Sequence, residues 1–246
     1  MITHKTEFYE NIDAGTLLLW YVEQNPTRAS AAMNRINFYL EAARVQMQRI
    51  WTALDEEKRL LDEDLKLMES YHKKWAELRH MSMEEKFNKL RKLEKEMSRG
   101  NLERTKRIAL RQQVIAQVFA DIHFYFICWD TIHKMMKVLK KYSGFKSAIE
   151  VYKTHQKTLE QYAAARNHHE HLDERLPGGK RDMGSDLGNL VTGGKFSFGG
   201  EKWDVTPSSL KLLEKIVAEL NSKICEEGLI KRKESPKTEG GESITH

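Results

Sequence analysis

The chain is short of the residues that break helices. Its 246 residues include four prolines and fourteen glycines, and no proline stands between Pro26 and Pro177. Collagen-like, mucin-like and wholly disordered chains are excluded by this balance. Cysteine is scarcer still. Cys128 and Cys225 are the whole complement, too few for a disulfide scaffold or a thiolate metal site. No apolar run approaches the length of a membrane span. The densest patch, Ile122 to Trp129, contains His123 and is followed by Asp130. The segment Met1 to Glu7 lacks the basic-then-apolar layout of a signal peptide. Cytoplasmic residence with no membrane partner is the expectation.

What is present is charge and helical periodicity. Charged residues make up 31% of the chain, and the net charge is +5. Lys and Arg are interspersed among the acids, the pattern of solvated helix surfaces. Apolar residues recur at alternating spacings of three and four. One line runs Met33, Ile36, Leu40, Ala43, Met47, Ile50, Leu54, Leu61, Met68, Tyr71, Trp75, Leu78, interrupted by Glu57 and Asp64. A second runs Ile108, Ile115, Val118, Ile122, Tyr125, Trp129, Ile132, Met136, Leu139, interrupted by Arg111. Sustained three-four spacing is a coiled-coil seam. Val114, Phe119, Phe126 and Met135 lie off the second seam, which makes that helix apolar on two sides and central to a bundle.

Helix boundaries follow from local chemistry. A short helix over 14–24 ends before Pro26. Ser82-Met83-Glu84-Glu85 reads as a capping box. Arg99-Gly100-Asn101 and Ser143-Gly144 read as turns, and Pro177-Gly178-Gly179 as a stop. The spacing predicts helices near 29–80, 83–98, 102–142 and 145–176. A helix of about 50 residues is roughly 75 Å long, so part of the hairpin should project as an arm or lie against a second chain. Between Leu187 and Thr206 the pattern turns Gly-rich and alternating, with Phe196, Phe198, Trp203 and Val205, which predicts two or three short strands. Thr206 then caps a helix whose first residue is Pro207 and whose end is near Gly228. The fold class is therefore all-α: a multi-helix bundle with a long coiled-coil-like hairpin and a small C-terminal β-hairpin. The expected division is a helical arm over 1–101, a bundle core over 102–180, a β element over 181–206, a C-terminal helix over 207–230 and a polar tail over 231–246.

One cluster has the composition of a chemical site. The stripe Ile149, Tyr152, Leu159, Tyr162 continues to Arg166, an arginine on an apolar line. A buried charge without a partner costs several kcal/mol, on the order given for ions in protein interiors. Asn167, His168, His169, Glu170, His171, Asp173, Glu174 and Arg175 follow. Asn167, His171 and Arg175 recur every four residues and share a face. A histidine near its ordinary pKa serves as acid or base at neutral pH. Arginine neutralises charge developing on phosphorus. The set suits phosphodiester cleavage without a metal.

Arg166-Asn167-His168-His169-Glu170-His171, late in a helical bundle and behind a long central helix, resembles the signature of the HEPN superfamily: Arg, a polar residue, three variable positions, then His. The resemblance implies a homodimeric, metal-independent endoribonuclease with no cofactor, whose paired motifs face one another across a cleft. It makes His171 the acid/base, Arg166 the stabiliser of the transition state and Asn167 the orienting group; His168, Glu170, Glu174 and Arg175, next to them in the sequence, are candidate supporting residues. Products would end in a 2′,3′-cyclic phosphate and a 5′-hydroxyl. Toxin or defence roles, with an antitoxin or regulatory partner, are the family's habit. In one toxin branch a Tyr stands two residues after the His and is the antitoxin's target; here Asp173 holds that position, so that form of control is not expected. Lys137, Lys140, Lys141 and Lys146 are candidate RNA phosphate contacts in this reading, and solvated surface otherwise.

Other readings stand beside it. Arg and His near a helix C-terminus complement the macrodipole, and Arg166 could pair with Glu170 one turn on; the chain would then be a non-catalytic helical dimer, a structural or interaction module. His168 and His171 could chelate, but no second His or Cys cluster completes a site. Glu69-x-x-His72 has di-iron spacing, with Asp130-x-x-His133 a poor second copy. His123 is expected to be a satisfied core imidazole. The Gly pairs at 193–194 and 199–200 lack the frame of a phosphate loop.

Overall fold

The computed structural model describes residues 26–170, 194–198 and 201–234. Among these the chain is all-α with one small hairpin. The elements are α1 (Pro26–Leu78), α2 (Met83–Tyr142), α3 (Lys146–Glu170), β1 (Lys195–Phe198), β2 (Glu201–Asp204) and α4 (Pro207–Glu234). The expected helix over 14–24 lies outside the described residues. The described residues form two compact units, one of 45–124 and one of those before 45 and after 124, and α1 and α2 contribute to both.

In the first unit α1 and α2 pair antiparallel. Ser82 precedes α2 as expected, but it meets Glu85 side chain to side chain: its hydroxyl donates to Glu85 Oε2 at 2.8 Å, and its carbonyl accepts from Lys86 N at 2.9 Å. The turn expected at Arg99-Gly100-Asn101 does not form, and the helices expected over 83–98 and 102–142 are one. The boundary drawn at 101/102 therefore falls inside α2. The physical reason is Tyr71. Its hydroxyl donates to the Glu96 carbonyl at 3.1 Å, and a Cβ on Gly100 would stand 1.8 Å from that hydroxyl. Glycine serves here for close approach of a side chain, not for a turn. The residues that interrupt the apolar lines find partners across the hairpin. Arg111 pairs with Glu57, and Arg107 Nε with Asp64 at 2.6 Å. The inward line of α2 is Arg107, Arg111, Val114 and Val118, so Ile108 and Ile115, expected on the seam, are 41% and 38% exposed.

In the second unit α2 is again central. Tyr125, Phe126, Trp129, Ile132, Met136 and Leu139 are buried, with Met33, Ile36 and Leu40 of α1, Tyr152, Leu159 and Tyr162 of α3, and Leu213, Ile216, Val217, Leu220 and Ile224 of α4. The Ser143-Gly144 turn forms, Gly144 taking φ of +67°. β1 and β2 are antiparallel, Phe196 opposite Trp203. Both rings lie against Phe126, which gives that off-seam residue its neighbour. Trp203 Nε1 donates to the Gln161 carbonyl at 3.0 Å, and Tyr162 Oη to the Asp204 carbonyl at 3.0 Å, so the hairpin is bound to α3. Thr206 caps α4, its Oγ1 accepting from Ser208 N at 3.2 Å. Helix α4 runs past the end expected near Gly228, and Lys231 to Glu234, expected in the polar tail, are helical. Lys231 explains the extension: it bridges to Glu227 at 3.3 Å and donates to the Gly144 carbonyl at 3.3 Å. These contacts offset the cost of about 1 kcal/mol for a mid-helix glycine. Glu227 in turn accepts from the Ser147 and Lys146 amides at 2.8 and 3.1 Å, capping α3 from another helix.

Candidate functional site

Arg166 stands where the period placed it, on the inward side of α3, with its side chain 28% exposed. The partner the structure gives it is Asp130 of α2, Nη1 to Oδ2 at 2.5 Å. Lys134, one turn along α2, donates to the same Oδ2 at 2.7 Å. The carboxylate is only 9% exposed. Burial pushes the Asp130 pKa up, but the bonds from Lys134 and Arg166 outweigh it and hold the carboxyl below its ordinary value. An arginine on an apolar line is thus tolerated because a buried acid on the facing helix meets it.

Aromatic stacks join the same two helices. Trp129 and Tyr162 stack with centroids 4.0 Å apart and planes 10° off parallel. One turn further, His133 stacks on Tyr152, planes 6° apart. Its Nε2 is 3.3 Å from the Tyr152 hydroxyl. Lys140 Nζ lies 4.9 Å from the centre of the Tyr152 ring. His133 is buried, and burial, then Lys137, hold its pKa below the ordinary value. It is therefore a neutral imidazole at physiological pH, able to accept or donate a hydrogen bond but not to carry charge.

Of the lysines named from sequence, Lys137, Lys140, Lys141 and Lys146 are all exposed. Lys134, Lys137 and Lys140 follow one another along α2 beside the Asp130–Arg166 pair, over about 9 Å at 1.5 Å per residue. Lys141 instead lies over the Tyr142 ring at 5.1 Å, and Lys146 starts α3 at its other end. Asn167, His168, His169 and Glu170 continue α3. His171, Asp173, Glu174 and Arg175 lie outside the described residues. Among the described residues no three His, Cys, Asp or Glu side chains gather as metal ligands. His123 is half-buried, its ring 6.1 Å from that of Phe124. Cys128 is buried, and burial pushes its thiol up to about 12, which removes it as a nucleophile.

Asp130, His133 and Tyr152 were not among the site residues read from sequence. A signal for Asp130 existed: an acid directly after Trp129, beside a seam that is apolar from Ile115 to Leu139, needs a cation, and Arg166 needed an anion. Nothing in the sequence said that the two meet. Against known proteins, the chain matches no family model, no curated protein and no solved structure. Among the described residues no helix is long and apolar enough to cross a membrane.

Proposed function

We propose that the chain is a metal-independent endoribonuclease of the HEPN type that works as a homodimer. The observation that carries this reading is the placing of Arg166. It is no loose cation at a frayed helix end; Asp130 holds its guanidinium on the bundle face, five residues before His171. A positioned cation costs no reorganisation when charge builds on phosphorus. The row Lys134, Lys137, Lys140 gives a phosphate backbone a track beside it. In this reading His171 of one protomer removes the proton of a ribose 2′-hydroxyl. The resulting oxyanion attacks the adjacent phosphorus and the bond to the 5′-oxygen breaks. The second protomer's copy of the same residue protonates the leaving oxygen. The phosphate closes as a 2′,3′-cyclic ester, and Arg166 compensates the charge on its oxygens meanwhile. A toxin or defence role, with a protein that restrains it, extends the same reading.

The test is cleavage of labelled RNA of mixed sequence in EDTA. Wild type should yield fragments ending in cyclic phosphate. His171→Ala should abolish cutting with an unchanged melting temperature, and Arg166→Lys should slow it roughly 100-fold, the scale for losing one transition-state donor. Asp130→Asn should slow cutting too and also lower stability by about 2 kcal/mol, because a charged pair is broken.

One observation favours a second reading, a non-catalytic helical interaction module. Asp130 already takes two cations, so the Arg166 knot is accounted for as a fastening between α2 and α3. Under that reading wild type and His171→Ala are equally inert on RNA, and Asp130→Asn changes stability alone.

A further inference from the structure

The closed end of the α1–α2 hairpin carries a groove that neither reading uses. It lies wholly within the unit of 45–124, has a volume of about 640 Å³, and runs between Met68–Leu78 of α1, with Arg79 just past the helix end, and Lys86–Asn101 of α2. Eleven residues of helix rise about 16 Å, so its length suits a helix of about three turns. Met68, Trp75, Leu78, Leu90 and Met97 give it an apolar surface, the methionines being adaptable ones. Trp75 belongs to the α1 seam line by spacing yet is 46% exposed. Tyr71, anchored on the Glu96 carbonyl against Gly100, keeps the two walls in register.

Charge selects the occupant. His72, Arg79 and Lys86 line the groove and no lining residue is acidic. The other side of the same hairpin mixes both signs: Lys74 meets Glu96 at 2.6 Å, and Glu77 lines that side together with Lys89 and Lys92. A second copy of this chain would bring the same cations against these. We infer that the groove seats an amphipathic α-helix of a partner protein, its apolar stripe flanked by Asp and Glu. Such a helix lays apolar anchors at i, i+3, i+4 and i+7 into a groove between two helices, and its acids meet Arg79 and Lys86.

The test uses the full-length protein and two fluorescein-labelled synthetic peptides of about four turns, with identical Leu and Phe anchors and either Glu or Lys at all other positions. Anisotropy should show the acidic peptide binding at least tenfold more tightly than the basic one. Trp75→Ala should weaken that binding at least tenfold, and Arg79→Glu with Lys86→Glu should reverse the preference; thermal melts check that both variants are folded. His171→Ala should bind like wild type, which separates this site from the ribonuclease reading. Equal affinity for the two peptides, no binding of the acidic one, or indifference to Trp75→Ala would overturn the inference. So would a dimer, seen by sedimentation, that Trp75→Ala converts to monomer, since a second copy would then cover the groove.

Discussion

At the scale of single residues, the chain treats ionisable groups in two ways. Some are buried with partners and keep their charge, as Asp130 does between Lys134 and Arg166. Others are buried and stay neutral, as His133 does against Tyr152. The second arrangement ties stability to pH. The folded imidazole binds its proton less tightly than the unfolded one, because burial and Lys137 outweigh Glu160 and Asp130. Between the two pKa values the unfolded chain holds more protons, so stability rises with pH there. The His133 contribution is complete above its ordinary value of 6.5 and is lost as pH falls from there toward the folded value. Melting temperatures measured from about pH 7 down to 5 should decline, and His133→Gln should flatten the decline. The loss from Asp130 falls in a separate window, below the ordinary carboxylate value of 3.8.

At the scale of elements, α1 and α2 are matched by a few specific contacts rather than by apolar spacing alone. Gly100 is one. An alanine in a helix interior normally gains about 1 kcal/mol over glycine. Here its Cβ would strike Tyr71, so Gly100→Ala should destabilise by roughly 1–3 kcal/mol, the usual range for overpacking. In a Tyr71→Leu background the same change should be neutral or stabilising. A double-mutant cycle by urea unfolding reads that reversal directly. The Glu57–Arg111 pair is another contact, with its side chains 20% and 26% exposed. Glu57→Leu alone should cost about 1–3 kcal/mol, because the guanidinium loses its carboxylate. Glu57→Leu with Arg111→Leu should come back to within about 1 kcal/mol of wild type, since apolar replacement of a whole pair is often neutral. If the double variant then populates more than one species in sedimentation, the pair sets the register between the two helices.

At the scale of the whole molecule, the net charge of +5 becomes useful only where the fold lines cations up. Lys137 and Lys140 face the same side of α2 as the Asp130–Arg166 pair, whereas other basic residues are taken up by acids, as Arg59 is between Glu56 and Glu63. In the ribonuclease reading, binding to single-stranded RNA should weaken with salt. Lys137→Gln with Lys140→Gln should reduce the slope of log K against log salt by about 1.4, two phosphate contacts at roughly 0.7 each. Lys73→Gln, which breaks an exposed pair with Glu69, should leave that slope alone. Filter binding across a salt series measures both.

The order of residues alone carries the helical class, the inward line of α1 from Met33 to Ile50, the start of α2 after Ser82, the cap at Thr206 and the turn at Gly144, because these depend on spacing and on groups within a few residues of one another. It also marked Arg166 as a charge out of place. It could not tell that Gly100 answers to Tyr71 and not to a turn, nor that Lys231 carries α4 beyond Gly228, since both depend on atoms of another helix or of a distant turn. It flagged Glu57, Asp64 and Arg111 as interruptions without showing that Glu57 and Arg111 would meet, or that Arg107 would take Asp64. Only the tertiary structure decided which opposite charges come together, Asp130 with Arg166 above all, because that depends on how two helices are rotated and offset. Periodicity along one helix carries no information about the offset of another.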